Sequence, residues 1–328
     1  MNVNRKRTLA RFCSAIGGGA VLRALNSNRK KVLTFHNVLP DELFARYPAN
    51  PVCDSESRFR TIIRLLKRRY RFSTDINDSE TLTITFDDGY CNEGEVAGRV
   101  LQEEGDIPAI VFASGKALRA NGMEDALVVD RLMYWCWYAP KDALEHLTGF
   151  RNSHDAWVKV IFPSFMKDGE SRGENYFSKC DAIYPLTEII SKFDSEYRRL
   201  RFGGIPEAKL DELRSRGWII GWHTESHFPL GALSESEIRK ELTAPGAMAG
   251  LPMSYPYGHE SQVGPVAVKV AEEFGYPVAY SDQMDACVLT GRWFAPRFEQ
   301  FVTNEDGLEF ELSGMKYFLK HHTRIPKI

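Results

Sequence analysis

The sequence predicts an α/β fold: a distorted (β/α)7-type barrel carrying a helical, aromatic-rich insertion. Three observations lead there. Short β-rich runs alternate with helical runs along most of the chain, which is the rhythm of a mostly parallel sheet. Several of those runs end directly on polar residues, where a barrel gathers its site. Residues 115–205 break the rhythm with helical, aromatic-rich stretches and read as an insertion on one face.

Taken in order, Val32 to His36 reads as the first strand, and Ser57 to Tyr70 as a helix with Phe59, Ile62, Ile63 and Leu66 on one face. Leu82 to Phe86 is the next strand and runs into Asp87-Asp88-Gly89. A helix follows from about Glu93, with Val96, Val100 and Leu101 inward and Gly105 as its stop. Ala109 to Ala113 is a strand. Within the insertion, Asp130-Arg131-Leu132 leads a helix into Trp135, Trp137 and Tyr138. The rhythm returns with a helix over Glu207 to Arg216 and a strand from Trp218 to Trp222 that leads to His223. Ser234-Glu235-Ser236-Glu237 is a capping-box start. A strand closing on Ser254-Tyr255-Pro256-Tyr257, a helix over Val263 to Phe274, a strand at Val278 to Tyr280, a last strand at Trp293 to Arg297 and a helix over 305–320 complete roughly seven units.

Composition narrows the function classes. The apolar share of 43% and charged share of 26% suit a globular enzyme, and a net charge of −2 gives no sign of a nucleic-acid partner. The six cysteines form no C-x-x-C pair, which argues against a zinc ribbon or redox motif and fits a reducing compartment. No apolar run is long enough to span a membrane. Residues 1–31 stand apart: they carry eight Lys or Arg and no acid. The apolar part is too broken by Arg11 and Gly17-Gly18-Gly19 to be a clear signal peptide. The segment is either a packed N-terminal helix or a basic amphipathic stretch lying on an anionic membrane surface. The expected location is therefore cytoplasmic, peripheral on the inner membrane face in the second case, and residues 32–328 form the main domain with the insertion at about 115–205.

The polar groups at strand ends carry the chemistry. Asp87-Asp88 follows one strand, His223-Thr224-Glu225-Ser226-His227 another, and Tyr257-Gly258-His259 a third. Two histidines four apart, joined by a carboxylate from a neighbouring strand end, make a face for one divalent metal with positions left open for water and substrate. Zn²⁺ suits this donor set, and other first-row ions bind it as well. Alone, the H-x-x-x-H pair is as compatible with packed histidines, and the paired Asp with a helix N-cap.

Thr85-Phe86-Asp87-Asp88-Gly89-Tyr90, then His223-Thr224-Glu225-Ser226-His227, then Tyr255-Pro256-Tyr257-Gly258 resemble, in order and spacing, the polysaccharide deacetylases of carbohydrate esterase family 4, the NodB-homology domain. Leu33-Thr34-Phe35-His36-Asn37-Val38-Leu39-Pro40 and Asp130-Arg131-Leu132 resemble segments of one subgroup. The likeness runs from about residue 32 to 300. It implies a hydrolase that removes N-acetyl groups from amino sugars of a polysaccharide or lipid-linked glycan. It implies Asp88, His223 and His227 as metal ligands, Asp87 as general base, and the backbone N–H of Tyr257 as an oxyanion donor.

Two departures stand out. The Arg that opens the third motif of the family is Ser254 here, so Asp87 needs another partner, and Arg297 in Ala295-Pro296-Arg297 is the candidate. For the L-x-H segment that supplies the general acid in the family, Leu319-Lys320-His321 fits the letters but sits near the end of the chain. His36 at the first strand end is better placed as acid or substrate-orienting group, and His259 is a third option. Trp222, Trp135 and Trp137 read first as core, with sugar stacking as the alternative. Two other classes compete. A non-haem iron oxygenase shares the two-His, one-carboxylate set but not the β/α rhythm. A catalytically impaired glycan-binding protein is motivated by Ser254 and opposed by the intact Asp87, Asp88, His223 and His227.

Overall fold

The computed structural model describes residues 30–47, 52–282 and 291–299, with residues 21, 25, 26, 307, 312 and 313. Most of the basic 1–31 segment, the expected helix at 305–320 and His321 lie outside the described residues.

The strands are β1 (Lys31–Phe35), β2 (Asn37–Leu39), β3 (Cys53–Ser55), β4 (Arg71–Phe72), β5 (Thr81–Asp88), β6 (Ala109–Ala113), β7 (Ile219–Trp222), β8 (Met253–Ser254), β9 (Ala279–Ser281), β10 (Ala295–Pro296) and β11 (Phe298–Glu299). Every pairing between these strands is parallel. The order β10-β9-β8-β7-β6-β5-β1-β11 closes on itself, because β10 and β11 are separated only by Arg297. Pro296 pairs with Ser281 on one side, and Leu33 of β1 pairs with Phe298 on the other. The result is a seven-staved barrel, with β2 and β3 forming a small sheet beside it. β1, β5 and β6 are buried along their whole length. Strands covered on both faces need continuous apolar or β-branched runs, and that is how they read.

The outer helices form where the apolar spacing put them. Helix Glu56–Lys67 buries Phe59, Ile62, Ile63 and Leu66, and starts one residue earlier than expected because the Ser55 hydroxyl accepts the Arg58 N–H. Helix Glu235–Leu242 has both bonds of its capping box. Other boundaries shift for local reasons. β5 extends through Asp87 and Asp88, which pair with Phe112 and Ala113 of β6. The β8 strand is only two residues long, since Pro256 has no N–H to give and Tyr257 turns the chain at φ 62°. The expected strand at 293–297 opens as a 3-10 turn over Arg292–Phe294 before β10.

Between β6 and β7 the chain is almost entirely helical. Its helices include Val128–Tyr138, Lys141–Thr148, Phe162–Ile183, Leu186–Ile190 and Ser195–Phe202. They cohere through an aromatic cluster: Tyr134 lies 4.7 Å from Phe202, and Tyr138 lies 4.9 Å from Phe193, both edge-on. Trp135 is fully buried and donates its indole N–H to the Tyr184 carbonyl at 2.9 Å. One edge of this helical layer stands over the C-terminal mouth of the barrel.

Candidate metal centre

Asp88 ends β5 in the positive-φ region at 92°. Thr224 and His227, after β7, and Tyr257, after β8, share that region at 65°, 59° and 62°. Of the five non-glycine residues held there among the described residues, four surround this one site. Such backbone is costly, and it persists where the surroundings dictate it, typically at functional sites.

The strained turns bring the three candidate ligands together. Asp88, His223 and His227 offer donor atoms all within 4.8 Å of one another, and theirs is the one such group among the described residues. The Asp88 Oδ1 lies 3.3 Å from His227 Nε2 and 3.9 Å from His223 Nε2. Each imidazole is fixed by its other nitrogen. His223 Nδ1 donates to the Ser254 carbonyl at 2.8 Å. His227 Nδ1 lies 3.2 Å from the Tyr257 hydroxyl, which itself donates to the His227 carbonyl at 3.1 Å. The tyrosine oxygen therefore accepts from Nδ1, and both Nε2 lone pairs turn inward. This is how a metal-ligating histidine is oriented.

Electrostatics agrees with that assignment. Burial lowers the pKa of His223 to about 3 and of His227 to about 4, so both rings are neutral near pH 7. Burial, reinforced by the nearby Asp130 and Asp87 carboxylates against the opposing pull of His36, raises Asp88 to about 7. A buried carboxylate in that condition gains most from a cation. One carboxylate and two imidazoles with free inward lone pairs fit a divalent ion of the zinc type.

Asp87 is treated differently. Burial alone pushes its carboxyl up, but Arg297, His223 and the hydrogen bonds from Arg297 outweigh burial and hold it far below the usual range. Arg297 grips it with two parallel bonds, Nη1 to Oδ1 at 2.8 Å and Nη2 to Oδ2 at 2.6 Å. Arg297 is 0% exposed and also donates to Asp282 and to the Ser254 hydroxyl, which reaches Asp87 at 3.2 Å. The guanidinium comes from the residue that joins β10 to β11, and it meets the Ser254 hydroxyl at 2.7 Å. Asp282 was not singled out in the sequence. It is one carboxylate in an unremarkable Ser-Asp step, and only the fold reveals that it faces Arg297.

His36, at the end of β1, lines the same cavity of about 340 Å³ as Asp87, Asp88, His223, His227 and Tyr257. His259 lines it too. The Tyr257 backbone N–H has no acceptor among the described residues. Trp222 is core: it is 1% exposed and donates to the Glu241 carbonyl. Trp135 is core as well, and the tryptophan that reaches the cavity from the insertion is Trp157.

The deacetylase PplD of Streptococcus pyogenes, solved in complex with acetate, superposes with a TM-score of 0.51 over 87% of this chain and 98% of its own, at 12% identity. The chain has the polysaccharide-deacetylase fold. IcaB from Ammonifex degensii (14% identity, 87% of this chain and 97% of that one, TM-score 0.44) is also similar. So is a de-N-acetylase from Aggregatibacter actinomycetemcomitans (13%, 77% and 87%, TM-score 0.43). No protein-family model matches the chain, and no curated protein matches it in sequence. At 12% identity the likeness to PplD is one of fold.

Proposed function

We propose that this protein is a metal-dependent hydrolase that removes N-acetyl groups from amino sugars in a polysaccharide or a lipid-linked glycan, with Zn²⁺ as the ion. The observation that carries the reading is the pairing of two unlike aspartates on consecutive residues: Asp88 facing His223 and His227, and Asp87 clamped by Arg297. A divalent ion held by Asp88, His223 and His227 supplies Lewis acidity toward water and the acetamide carbonyl. The other roles belong to the chain. Asp87 stays ionised through the neutral range, so it stands ready to accept the proton of the attacking water without first losing one. Ser254 and Arg297 fix its orientation. The Tyr257 N–H, without an acceptor among the described residues, offers a donor for the tetrahedral oxyanion. His36 is positioned at the cavity wall to return a proton to the departing amine, and the products are acetate and a free amino sugar. PplD, similar in fold, is a deacetylase solved with acetate, which supports the reaction class.

We further infer that the basic residues of segment 1–31, apart from Lys30 and Lys31, which are buried in the barrel, dock the enzyme on the anionic cytoplasmic face of a membrane, which suits a lipid-linked substrate. No helix of the described residues is long and apolar enough to cross a membrane.

The test is acetate release from a panel of N-acetylated glycans and polyprenyl-linked sugars, with Asp87→Asn as the control. Release by the wild type that Asp87→Asn abolishes supports the reading. A zinc-loaded wild type inert on the whole panel sinks it.

A further inference from the structure

One buried carboxylate faces the cavity without a part in the reaction above. Asp130 stands in the first turn of helix Val128–Tyr138 of the insertion and is 3% exposed. Each of its oxygens is held by one donor: Arg201 Nη2 at 2.6 Å on Oδ1, and the Tyr90 hydroxyl at 2.6 Å on Oδ2. Both donors are themselves fixed. Arg201 is 0% exposed, and its guanidinium carbon lies 4.9 Å from the Phe202 ring centroid and 5.2 Å from that of Tyr90. The Tyr90 oxygen accepts the Leu127 N–H at 3.1 Å. The Asp130 carboxylate is therefore charge-paired and rotationally locked.

It is not saturated. A carboxylate has about four acceptor positions, and two donors leave about half of them open. Asp130 lines the same cavity as Asp88, His223 and His227. The insertion contributes Val129, Met133, Trp157, Phe162 and Met166 to that wall, and among these described residues Asp130 is the one charge. An acceptor-only group set in an apolar wall selects a ligand that brings hydroxyl or ammonium donors on one edge and a C–H face beside them. A pyranose has that character.

We propose that Asp130 is a substrate-positioning residue: it accepts hydrogen bonds from hydroxyls of the amino sugar and sets the acetamide over the metal face, while Trp157 covers the apolar face of the ring. This rests on the deacetylase reading for the identity of the substrate. It gives the insertion a task in recognition, reached through the Arg201–Asp130 pair that joins two of its helices.

The test uses the zinc-loaded full chain and methyl glycosides of N-acetylglucosamine and N-acetylgalactosamine, their short oligomers, and the 3-, 4- and 6-deoxy analogues of the best ligand. Binding is read by calorimetry and turnover by acetate release. Asp130→Asn is expected to weaken binding by about 10–100-fold, the scale of a hydrogen bond to a charged group, with KM moving more than kcat and zinc content unchanged. Deoxygenation at one position should cost the wild type a similar factor and the variant almost nothing, because the two losses share one contact. Where Asp130→Asn leaves Arg201 unpaired and the chain fails to fold, Asp130→Asn combined with Arg201→Met removes both charges and the same cycle is run. Losses that simply multiply, unchanged binding, loss of zinc from the variant, or a wild type that binds no member of the panel each overturn the proposal. A wild type that binds but releases no acetate sinks the deacetylase reading alone and leaves the cycle to be read.

Discussion

At the scale of single residues, two adjacent aspartates are given opposite electrostatic conditions by their partners. Asp87 faces a guanidinium and Asp88 faces two neutral imidazoles. Asp87→Asn should keep the metal site intact, since no ligand is lost, and reduce acetate release by about 10²–10⁴-fold, the usual contribution of a positioned base. His223→Ala should lose both metal and turnover. Metal content by elemental analysis beside acetate release separates the two. A second prediction concerns pH. His223 and His227, at about 3 and 4, carry no proton to displace between pH 5 and 8, whereas Asp88, at about 7 in the metal-free protein, does. Binding an ion must expel that proton, so affinity should rise about tenfold per pH unit up to pH 7 and level off above it. Competition titration with a zinc chelator at stepped pH reads the slope, and a slope of two or more would place protons on the histidines.

The ligands were legible in the sequence because each motif is local: a strand end, then Asp-Asp, and a loop with two histidines four apart. Arg297 was legible as a candidate only because an Ala-Pro-Arg step ends a β-like run. Asp282 and Arg201 carry no local signal, and Asp130 was marked only as part of the family-like Asp130-Arg131-Leu132 segment, which gave it no role. Their roles come from contacts across 15 residues or more, Arg201 meeting Asp130 across 71.

At the scale of elements, the mouth of the barrel depends on how tightly its turns pass one another. Gly89 follows Asp88 at φ 93°, and a Cβ there would lie 2.7 Å from the Ala113 Cβ and 3.0 Å from its Cα. Both the conformation and the space exclude a side chain. Gly89→Ala should therefore destabilise the protein by roughly 1–3 kcal/mol and displace Asp88, weakening metal binding as well. Thermal unfolding with and without zinc checks both effects, and an unchanged midpoint in the two conditions would show that the turn relaxes freely. The longer elements were readable from period and caps, as in helix Glu56–Lys67 and the Ser234 capping box. Of the two-residue strands, β8 and β10 fall within strands expected with other bounds, whereas β4 and β11 had no signal, because their pairing is dictated by neighbours rather than by any run of their own.

At the scale of the whole molecule, the site ties distant parts of the chain into one closed ring. The proposed ligands come from the ends of β5 and β7, while Arg297 holds Asp87 from the β10–β11 junction, 210 positions away. Whatever binds Asp88, His223 and His227 together binds only the closed barrel, since the unfolded chain keeps those donors far apart. Ligand binding to the native state alone adds about 2.7 kcal/mol of stability at one hundred times Kd. For a chain of this size each kcal/mol moves the midpoint by roughly 2 °C. Saturating zinc should therefore raise the unfolding midpoint of chelator-treated protein by about 5 °C, and more as the concentration exceeds Kd further. The shift should vanish in His223→Ala and persist in Asp87→Asn, because only the former removes a ligand. Calorimetric scans of the three proteins at matched zinc concentration decide it. A shift that survives in His223→Ala would mean that the ion sits elsewhere, and Asp88 and His227 would then need another explanation for facing each other at 3.3 Å.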